Sequence, residues 1–244
     1  MPLSKAKRIG TTRETTPNDQ VHTPRTTRYP PLMPSKRLLI QVVLSAVAWY
    51  LWHGPLEAPF AEDLGSVLES PRSFDASLSI EREPIQVELE NSTPLRIGDH
   101  QLRLRAEFQV EAHVLGRRDY RRGHEANFSP IDLALGWGPM ARDGILEHID
   151  IRQSGRFYFW RSDNPPIPLD AINRNSSNMH LIPAGDHILQ DLKRIGEGDR
   201  VRLQGYLVDI ERDNGWRWNT SLSRTDTGHG ACELFIVTRA LVLP

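Results

Sequence analysis

One run of the sequence, residues 101–116, constrains the fold more than any other. Its even positions from Leu102 to Val114 carry apolar side chains, and its odd positions from Arg103 to His113 carry polar ones. Successive side chains of a strand point to opposite faces, so a period of two places every apolar group on one face. A helix has 3.6 residues per turn and cannot produce this pattern. The run therefore predicts a long strand with one face in a core.

Shorter patterns predict further strands, separated by turn signals at Ser154-Gly155 and Asp213-Asn214-Gly215. Gly205 lies inside one of them and indicates a bulge or a barrel corner. The run at 198–205, Gly-Asp-x-Val-x-Leu-x-Gly, is similar to the start of a curled strand in small barrels, including OB-like ones. The predicted strands are 85–89, 145–151, 156–160, 201–210, 216–222 and 232–243.

One good helix is predicted over 186–195, where Asp186 can cap an apolar face and Gly196 ends it. Two short helices are predicted, at 61–69 and from Ser129-Pro130-Ile131-Asp132, which joins a hydroxyl cap, a first-turn proline and an acid. The fold class is therefore mainly β with seven or eight strands, arranged as a barrel-like or strongly curved antiparallel sheet.

The first 37 residues carry eight basic and two acidic side chains, a net charge of +6 that leaves −7 on the remainder. They are rich in Thr and Pro and hold almost no bulky apolar residue before Tyr29. Such a segment cannot bury enough surface to offset the entropy of ordering. We expect residues 1–37 to be a disordered basic tail on the cytoplasmic side of a membrane.

Residues 38–53 predict a single transmembrane helix. The run Leu38–Trp52, mostly apolar, spans about 22 Å as a helix, against a hydrocarbon core of about 30 Å. Lys36 and Arg37 precede it, and aromatic residues cluster near its far end, as is typical of a cytoplasmic flank and an interfacial belt. A cleaved signal peptide is the main alternative, because its apolar stretch has a similar length, and a buried core helix is a third. We favour an uncleaved signal anchor.

The rest of the sequence divides into a juxtamembrane linker, 54–73, and an outer β-rich domain, 74–244. The one cysteine, Cys232, excludes an intramolecular disulfide framework and argues against a eukaryotic secreted domain. We therefore predict a single-pass protein of the bacterial inner membrane, with a cytoplasmic N-terminus and a periplasmic C-terminal domain.

The stretch Ser221–Glu233 is the first candidate site. It places Arg224, Asp226, His229 and Cys232 among small residues between two predicted strands. Glycines there allow a ligand to approach the backbone closely, and loops often carry function. A polar hairpin loop whose side chains bond their own backbone is the structural alternative.

Asn178 and His180 form the second candidate site, at a predicted strand end. If His180 or His229 met Cys232 in space, a thiolate–imidazolium pair would provide a nucleophile. The chain order His180, Cys232, Arg239 is similar to that of sortase-type transpeptidases, which are membrane-anchored β-barrels, but their Thr-Leu-x-Thr-Cys signature is absent. A cysteine that packs as a small apolar residue is the structural alternative.

Trp137, between Gly136 and Gly138, is a third candidate, because exposed tryptophans bind sugars or peptides, although most pack a core. No histidine spacing matches a metal motif, and nucleotide-binding loops are absent from the sequence. We therefore expect no metal, no other cofactor and no nucleic-acid partner.

The leading hypothesis is a non-enzymatic, membrane-tethered domain that binds a protein, peptide or glycan of the bacterial envelope. The alternative is a membrane-anchored Cys/His hydrolase or transpeptidase. Nothing in the sequence indicates the oligomeric state. The ligand-binding candidates are Arg224, Asp226, His229, Asn178, His180 and Trp137; the catalytic candidates are Cys232, His180, His229 and Arg239.

Overall fold

A computed structural model describes residues 36–53, 58–68, 73–90, 92–226 and 231–244. The described residues divide into two units, with the boundary between Val47 and Ala48. Helix α1, Lys36–His53, forms where a helix is predicted, and its side chains from Ile40 to Val47 are exposed. Within the described residues, no helix combines the length and the apolar character that a membrane crossing requires. Insertion of α1 into a membrane stays a prediction.

The second unit is mainly β, as predicted. Its longest strand, β3 (His100–Asp119), covers the predicted run and extends it by one residue at the start and three at the end. Helix α2 (Ala61–Val67) and strand β1 (Ile85–Glu88) precede it where the sequence predicts them, and a short β2 (Leu95–Ile97) leads into it. The later strands are β4 (Ile131–Gly136), β5 (Asp150–Ser154), β6 (Phe157–Arg161), β7 (Ser176–Pro183), β8 (Arg200–Arg212), β9 (Arg217–Trp218) and β10 (Glu233–Leu243).

Among the described residues, eight strands form one sheet and β5 and β6 form a separate hairpin. In the large sheet β3 pairs with β4, β4 with β7, β7 with β10, β10 with β8, and β8 with β3. The order of pairings therefore returns to β3, and we call these five the ring strands. Strands β1, β2 and β9 pair with them from outside the ring.

The sheet is mixed, which corrects the prediction of an antiparallel one. Strands β7 and β10 pair in parallel, and the other pairings within the described residues are antiparallel. Parallel neighbours need a long connection, and helix α5 (Asp186–Arg194) with β8 and β9 supplies it. Alternation of side chains reports which face of a strand is buried, but not the direction of the partner.

The helix predicted to begin at Ser129-Pro130 is wrong, because β4 occupies Ile131–Gly136. All six of its residues are buried between β3 and β7. A strand with partners on both sides satisfies every backbone group and reads as a continuous apolar run, like a short buried helix. The same pairing places Asp132, the expected first-turn acid, as a buried charge in the middle of a sheet.

An insertion between β4 and β7 packs against the outer side of the ring strands. It contains a 3-10 helix (Gly138–Ala141), α3 (Asp143–Leu146), the β5–β6 hairpin and α4 (Leu169–Arg174). The strand predicted at 145–151 begins only at Asp150, because residues 143–146 form helix α3. Apolar side chains of the insertion surround Leu115 of β3 and Ala134 of β4, so the hairpin is fixed by a small core of its own.

Helix α5 and strand β8 follow the sequence closely, with one difference at the helix cap. The N-cap of α5 is Gly185 instead of the predicted Asp186, which lies in the first turn. The backbones of β8 and β10 approach each other closely at Gly205, since a Cβ there would be 1.9 Å from the carbonyl oxygen of Ile236. The pairing register slips just beyond, between Val237 and Arg239, so the irregularity predicted from Gly205 is confirmed.

Candidate ligand-binding site

The segment between β9 and β10 lies against the start of β7 and the hairpin strand β6. Its residues Arg224, Asp226 and Cys232 line a cavity of about 310 Å³. The opposite wall consists of four consecutive β6 residues, 157–160, and Ser176 and Ser177 of β7 contribute the floor. We call this cavity the β6 pocket. The pocket therefore places part of the first candidate site beside β7, the strand that carries Asn178 and His180 of the second.

Arg224 and Glu233 form a buried ion pair at the base of the β6 pocket. Glu233 also accepts a hydrogen bond from Ser177, and the Arg224 guanidinium lies 5.1 Å from the ring centre of Phe108. Phe108 belongs to the main core, the buried apolar cluster that the ring strands and α5 form. Burial lowers the pKa of Arg224 to about 10, against the opposing effect of the Asp226 and Glu83 carboxylates. The charge of Arg224 is therefore balanced by Glu233 within the protein.

Asp226 differs from Arg224 in being exposed. Ser221 donates a hydrogen bond of 2.7 Å to its Oδ2 atom, which orients the carboxylate but does not neutralise it. Because the Arg224 and Glu233 charges cancel, Asp226 leaves the described lining of the β6 pocket with one net negative charge.

A second cleft, of about 520 Å³, adjoins the β6 pocket, and we call it the His180 cleft. Phe157 and Cys232 line both cavities. His180 and Trp218 face each other in the second cleft, with ring centres 5.1 Å apart. His180 and Cys232, predicted as a possible catalytic pair, thus share a cleft, but no hydrogen bond joins them within the described residues.

Asp132 holds the polar groups of the His180 cleft together. Arg156 Nη1 donates to Asp132 Oδ1 at 2.6 Å, and His180 Nδ1 lies 3.0 Å from Asp132 Oδ2, without the alignment of a hydrogen bond. The Arg156 guanidinium stacks on Tyr120, 3.6 Å from the ring centre, and also donates to the carbonyl oxygen of Ser129. Arg156 and His180, the two partners of Asp132, therefore both line the cleft.

Arg156 occupies the turn of the β5–β6 hairpin in a conformation that is rare for its residue type. Gly155 has a φ of 56° and Arg156 a φ of 71°, as in a type I′ turn, which glycine and asparagine favour. A bulky residue in this region costs energy and persists only where its surroundings enforce it. Its side-chain bonds and the 3.0 Å bond from Arg156 N–H to the Tyr120 hydroxyl enforce it here.

Asn178, the second-site amide, acts between the sheet and the hairpin. Its Oδ1 accepts a hydrogen bond of 2.7 Å from Gln153, and its Nδ2 donates to the carbonyl oxygen of Arg156 at 3.1 Å. Both bonds lead to the hairpin, and Asn178 is 1% exposed. Asn178 therefore positions the hairpin over β7 and offers little surface to a ligand.

The Cys232 thiol lies 3.8 Å from the carbonyl oxygen of Arg156. Burial raises its pKa to about 11; a hydrogen bond with Asn178 opposes the shift, and the Asp132 and Asp226 charges add to it. A nucleophilic cysteine needs the opposite shift, because the thiolate is the reactive form. The geometry therefore makes Cys232 a neutral wall group.

The remaining predicted site residues lie elsewhere. Trp137 has no exposed surface and packs in the main core, which is the structural alternative given for it above. The Arg239 guanidinium on β10 lies 5.0 Å from the ring centre of Phe74 and lines neither cavity. His229 falls outside the described residues.

Sequence reasoning missed Arg156 and Asp132 as site residues. A carboxylate inside an apolar run, such as Asp132 within 131–136, could have indicated a site residue, because a buried charge requires a partner. Nothing in the sequence marks Arg156, since its partner is 24 residues away.

Comparison with protein-family models, with curated proteins and with solved structures returned no match for this chain.

Proposed function

We propose that the chain is a ligand-binding domain held at a bacterial membrane by helix α1, with residues 74–244 on the outer side. The observation that supports binding is the pair of adjoining cavities that share Phe157 and Cys232. Concave sites lined by aromatic groups and a few oriented polar ones are typical of ligand pockets.

The order of the ring strands supports this location for the site. In chain order the five ring strands are β3, β4, β7, β8 and β10. The first pairs with the second and the fourth, the third pairs with the second and the fifth, and the fifth pairs with the fourth. A helix lies between the third and fourth. We infer a barrel of the OB type, in which the second and third strands and the loops after the first and fourth bind ligands. This fold analogy indicates a place and no particular ligand.

The composition of α1 supports the tether. Ile40, Val42, Val43 and Leu44 are between 57% and 62% exposed, and an apolar surface of this kind requires cover. Eighteen helical residues span about 27 Å, close to the hydrocarbon thickness of about 30 Å. The basic residues 1–37 precede the helix, as the positive-inside rule expects of a cytoplasmic flank.

Binding without catalysis is favoured by the neutral Cys232 thiol, whose raised pKa opposes thiolate chemistry. The Cys/His hydrolase or transpeptidase stays a second candidate on one observation, that His180 and Cys232 line the same cleft. Rapid alkylation of Cys232 at neutral pH would favour the enzyme.

The tether is tested with reporters fused after Pro244 in bacterial cells. Alkaline phosphatase is active only outside the cytoplasm, and green fluorescent protein fluoresces only inside it. We expect phosphatase activity, no fluorescence, and a chain that stays in the membrane fraction after a high-salt wash. Fluorescence without phosphatase activity contradicts the topology.

The binding function is tested by thermal unfolding of the full chain in detergent against panels of short peptides and glycan fragments. Ligands of the site should raise the unfolding midpoint of the wild type but not of Cys232→Trp, whose larger side chain intrudes at the wall position that both cavities share. Val87→Trp, at the exposed edge of β1, is the matched control and should respond like the wild type. A panel without any shift contradicts the function.

A further inference from the structure

The β6 pocket runs along the edge of a strand. Its wall contains Phe157, Tyr158, Phe159 and Trp160, four residues in sequence. Side chains of a strand alternate between faces, so a cavity that touches four in succession must lie at the edge, where the backbone groups point.

This edge of β6 has no strand partner among the described residues. Strand β6 pairs only with β5 within the described residues, in a hairpin with a two-residue turn. Ser154 and Phe157 flank the turn and exchange backbone hydrogen bonds, and hydrogen-bonded pairs alternate along an antiparallel ladder. Tyr158, opposite Gln153, and Trp160, opposite Ile151, therefore direct their N–H and C=O groups away from β5.

The side chains of the same two residues hold the edge in place. The Tyr158 hydroxyl lies 2.9 Å from Ser176 Oγ, and Trp160 Nε1 donates to Asn173 Oδ1 at 3.0 Å. Their backbone groups have no hydrogen-bond partner among the described residues. Native proteins usually protect such an edge with charge, proline or a covering segment. This one instead faces a cavity, and Phe159 beside it is 56% exposed.

We infer that the open edge of β6 binds an extended peptide by strand addition, with the peptide lying in the β6 pocket. This inference rests on the proposed binding function and names the class of its ligand. The backbone groups that point away from β5 belong to Tyr158 and Trp160. These two residues are about 6.8 Å apart along the strand, which is the two-residue repeat of an extended polypeptide. Backbone groups at that spacing give affinity, and the pocket selects a side chain.

The charge of the pocket indicates which side chain. Arg224 and Glu233 neutralise each other, and Asp226 leaves one negative charge at the rim. A peptide with a neutral or basic side chain in the pocket should therefore bind more tightly than one with an acidic side chain.

The test begins with acetylated, amidated octapeptides selected from a random library on the full chain in detergent. Each selected peptide is then N-methylated at one position at a time, and its affinity is measured by fluorescence anisotropy. Strand addition predicts losses of about tenfold at alternate positions, whose N–H groups bond β6, and changes within about twofold at the positions between.

A variant pair tests the place of binding. Ser223→Trp introduces a bulky side chain at the lining of the β6 pocket and should weaken binding at least about tenfold. Val87→Trp, on the edge strand β1, should leave the affinity within about twofold. Thermal unfolding verifies that both variants fold. N-methyl losses without a two-residue period, or an unchanged affinity of Ser223→Trp, overturn strand addition at β6 and leave a binding function standing. If neither peptides nor glycan fragments bind, the proposed function fails as well.

Discussion

Arg156 reaches from the turn of the β5–β6 hairpin to Asp132 in the middle of β4, and their 2.6 Å hydrogen bond joins two elements that share no backbone pairing. The Asp132 side chain is 1% exposed and that of Arg156 is 13% exposed. A carboxylate so placed is tolerated only with a partner. The β5–β6 hairpin, which forms the wall of the β6 pocket, is thus held to the sheet by the bond between Arg156 and the Asp132 carboxylate.

Removing Asp132 should destabilise the protein markedly. In Asp132→Ala the Arg156 guanidinium loses its buried partner, and we expect the free energy of unfolding to fall by about 3 kcal/mol. Asp150→Ala is the control, because Asp150 pairs with Arg152 on the surface and should cost under about 0.5 kcal/mol. Denaturant unfolding followed by tryptophan fluorescence measures both. Equal, small effects would contradict a buried pair.

Cys232 should be slow to react. Burial raises the pKa of its thiol to about 11 from an ordinary 9.0, so its thiolate fraction at pH 7.5 is about a hundredfold below that of an unshifted thiol. We expect iodoacetamide to label the folded chain correspondingly slowly. We also expect the rate to rise up to a pH of about 11. The neutral thiol favours the folded state, so this contribution to stability is present below about pH 9 and is lost as the pH rises toward 11. Fast labelling with a midpoint below pH 8 would instead support a catalytic cysteine.

Gly205→Ala should prevent the close contact of β8 and β10. The added Cβ would meet the Ile236 carbonyl oxygen at 1.9 Å, and neither backbone can move without breaking the ladder. We expect a loss of at least about 3 kcal/mol in unfolding free energy, or failure to fold. Gly144→Ala in α3 is the matched control, since nothing lies within 4 Å of its Cβ position. A normal unfolding midpoint for Gly205→Ala would show that the strands can separate.

Acid should destabilise the fold through His100. Its Nε2 lies 3.0 Å from His124 Nε2 and its Nδ1 lies 2.8 Å from Asp99, which also accepts from Arg212. Burial lowers the pKa of His100, with the charges of His124 and Arg212 adding and that of Asp99 opposing. The neutral imidazole therefore favours the folded state, and its contribution is present above about pH 6.5 and is lost as the pH falls below it.

The corresponding measurement compares unfolding midpoints at pH 7.5 and pH 5 for the wild type, His100→Gln and His187→Gln, a change at an exposed position. We expect His100→Gln to shrink the difference between the two pH values and His187→Gln to preserve it. Identical pH dependence in all three chains would exclude His100 as its source.

The fold was predictable wherever one strand face alone is buried. The alternation at 101–116 indicates β3 because its two faces differ in exposure over many residues, whereas β4 has only six residues and is buried on both faces. The local signals at Ser129-Pro130 could not be weighed against pairing with β3 and β7, which depends on residues up to 50 positions away. Strand direction was unpredictable for the same reason.

The sequence indicated some of the residue types at the candidate site, but not which of them contact one another. Arg224, Asp226 and Cys232 were singled out because polar groups cluster among small residues in a loop, and they do line one pocket. Ser177, which bonds Glu233 across 56 residues, has no feature in the sequence to indicate this role. Arg156 in a left-handed turn is likewise a consequence of tertiary contacts.

Strand β10 lies between β7 and β8 and is the last of the ring strands in the sequence. The ribosome makes residues 176–212 before residues 233–243. Strands β7 and β8 therefore each have one edge without a partner until β10 is synthesised. Partly assembled sheets of this kind are the species most open to aggregation. Production of the protein should therefore respond to the translation rate and to chaperone supply more than its finished stability would suggest.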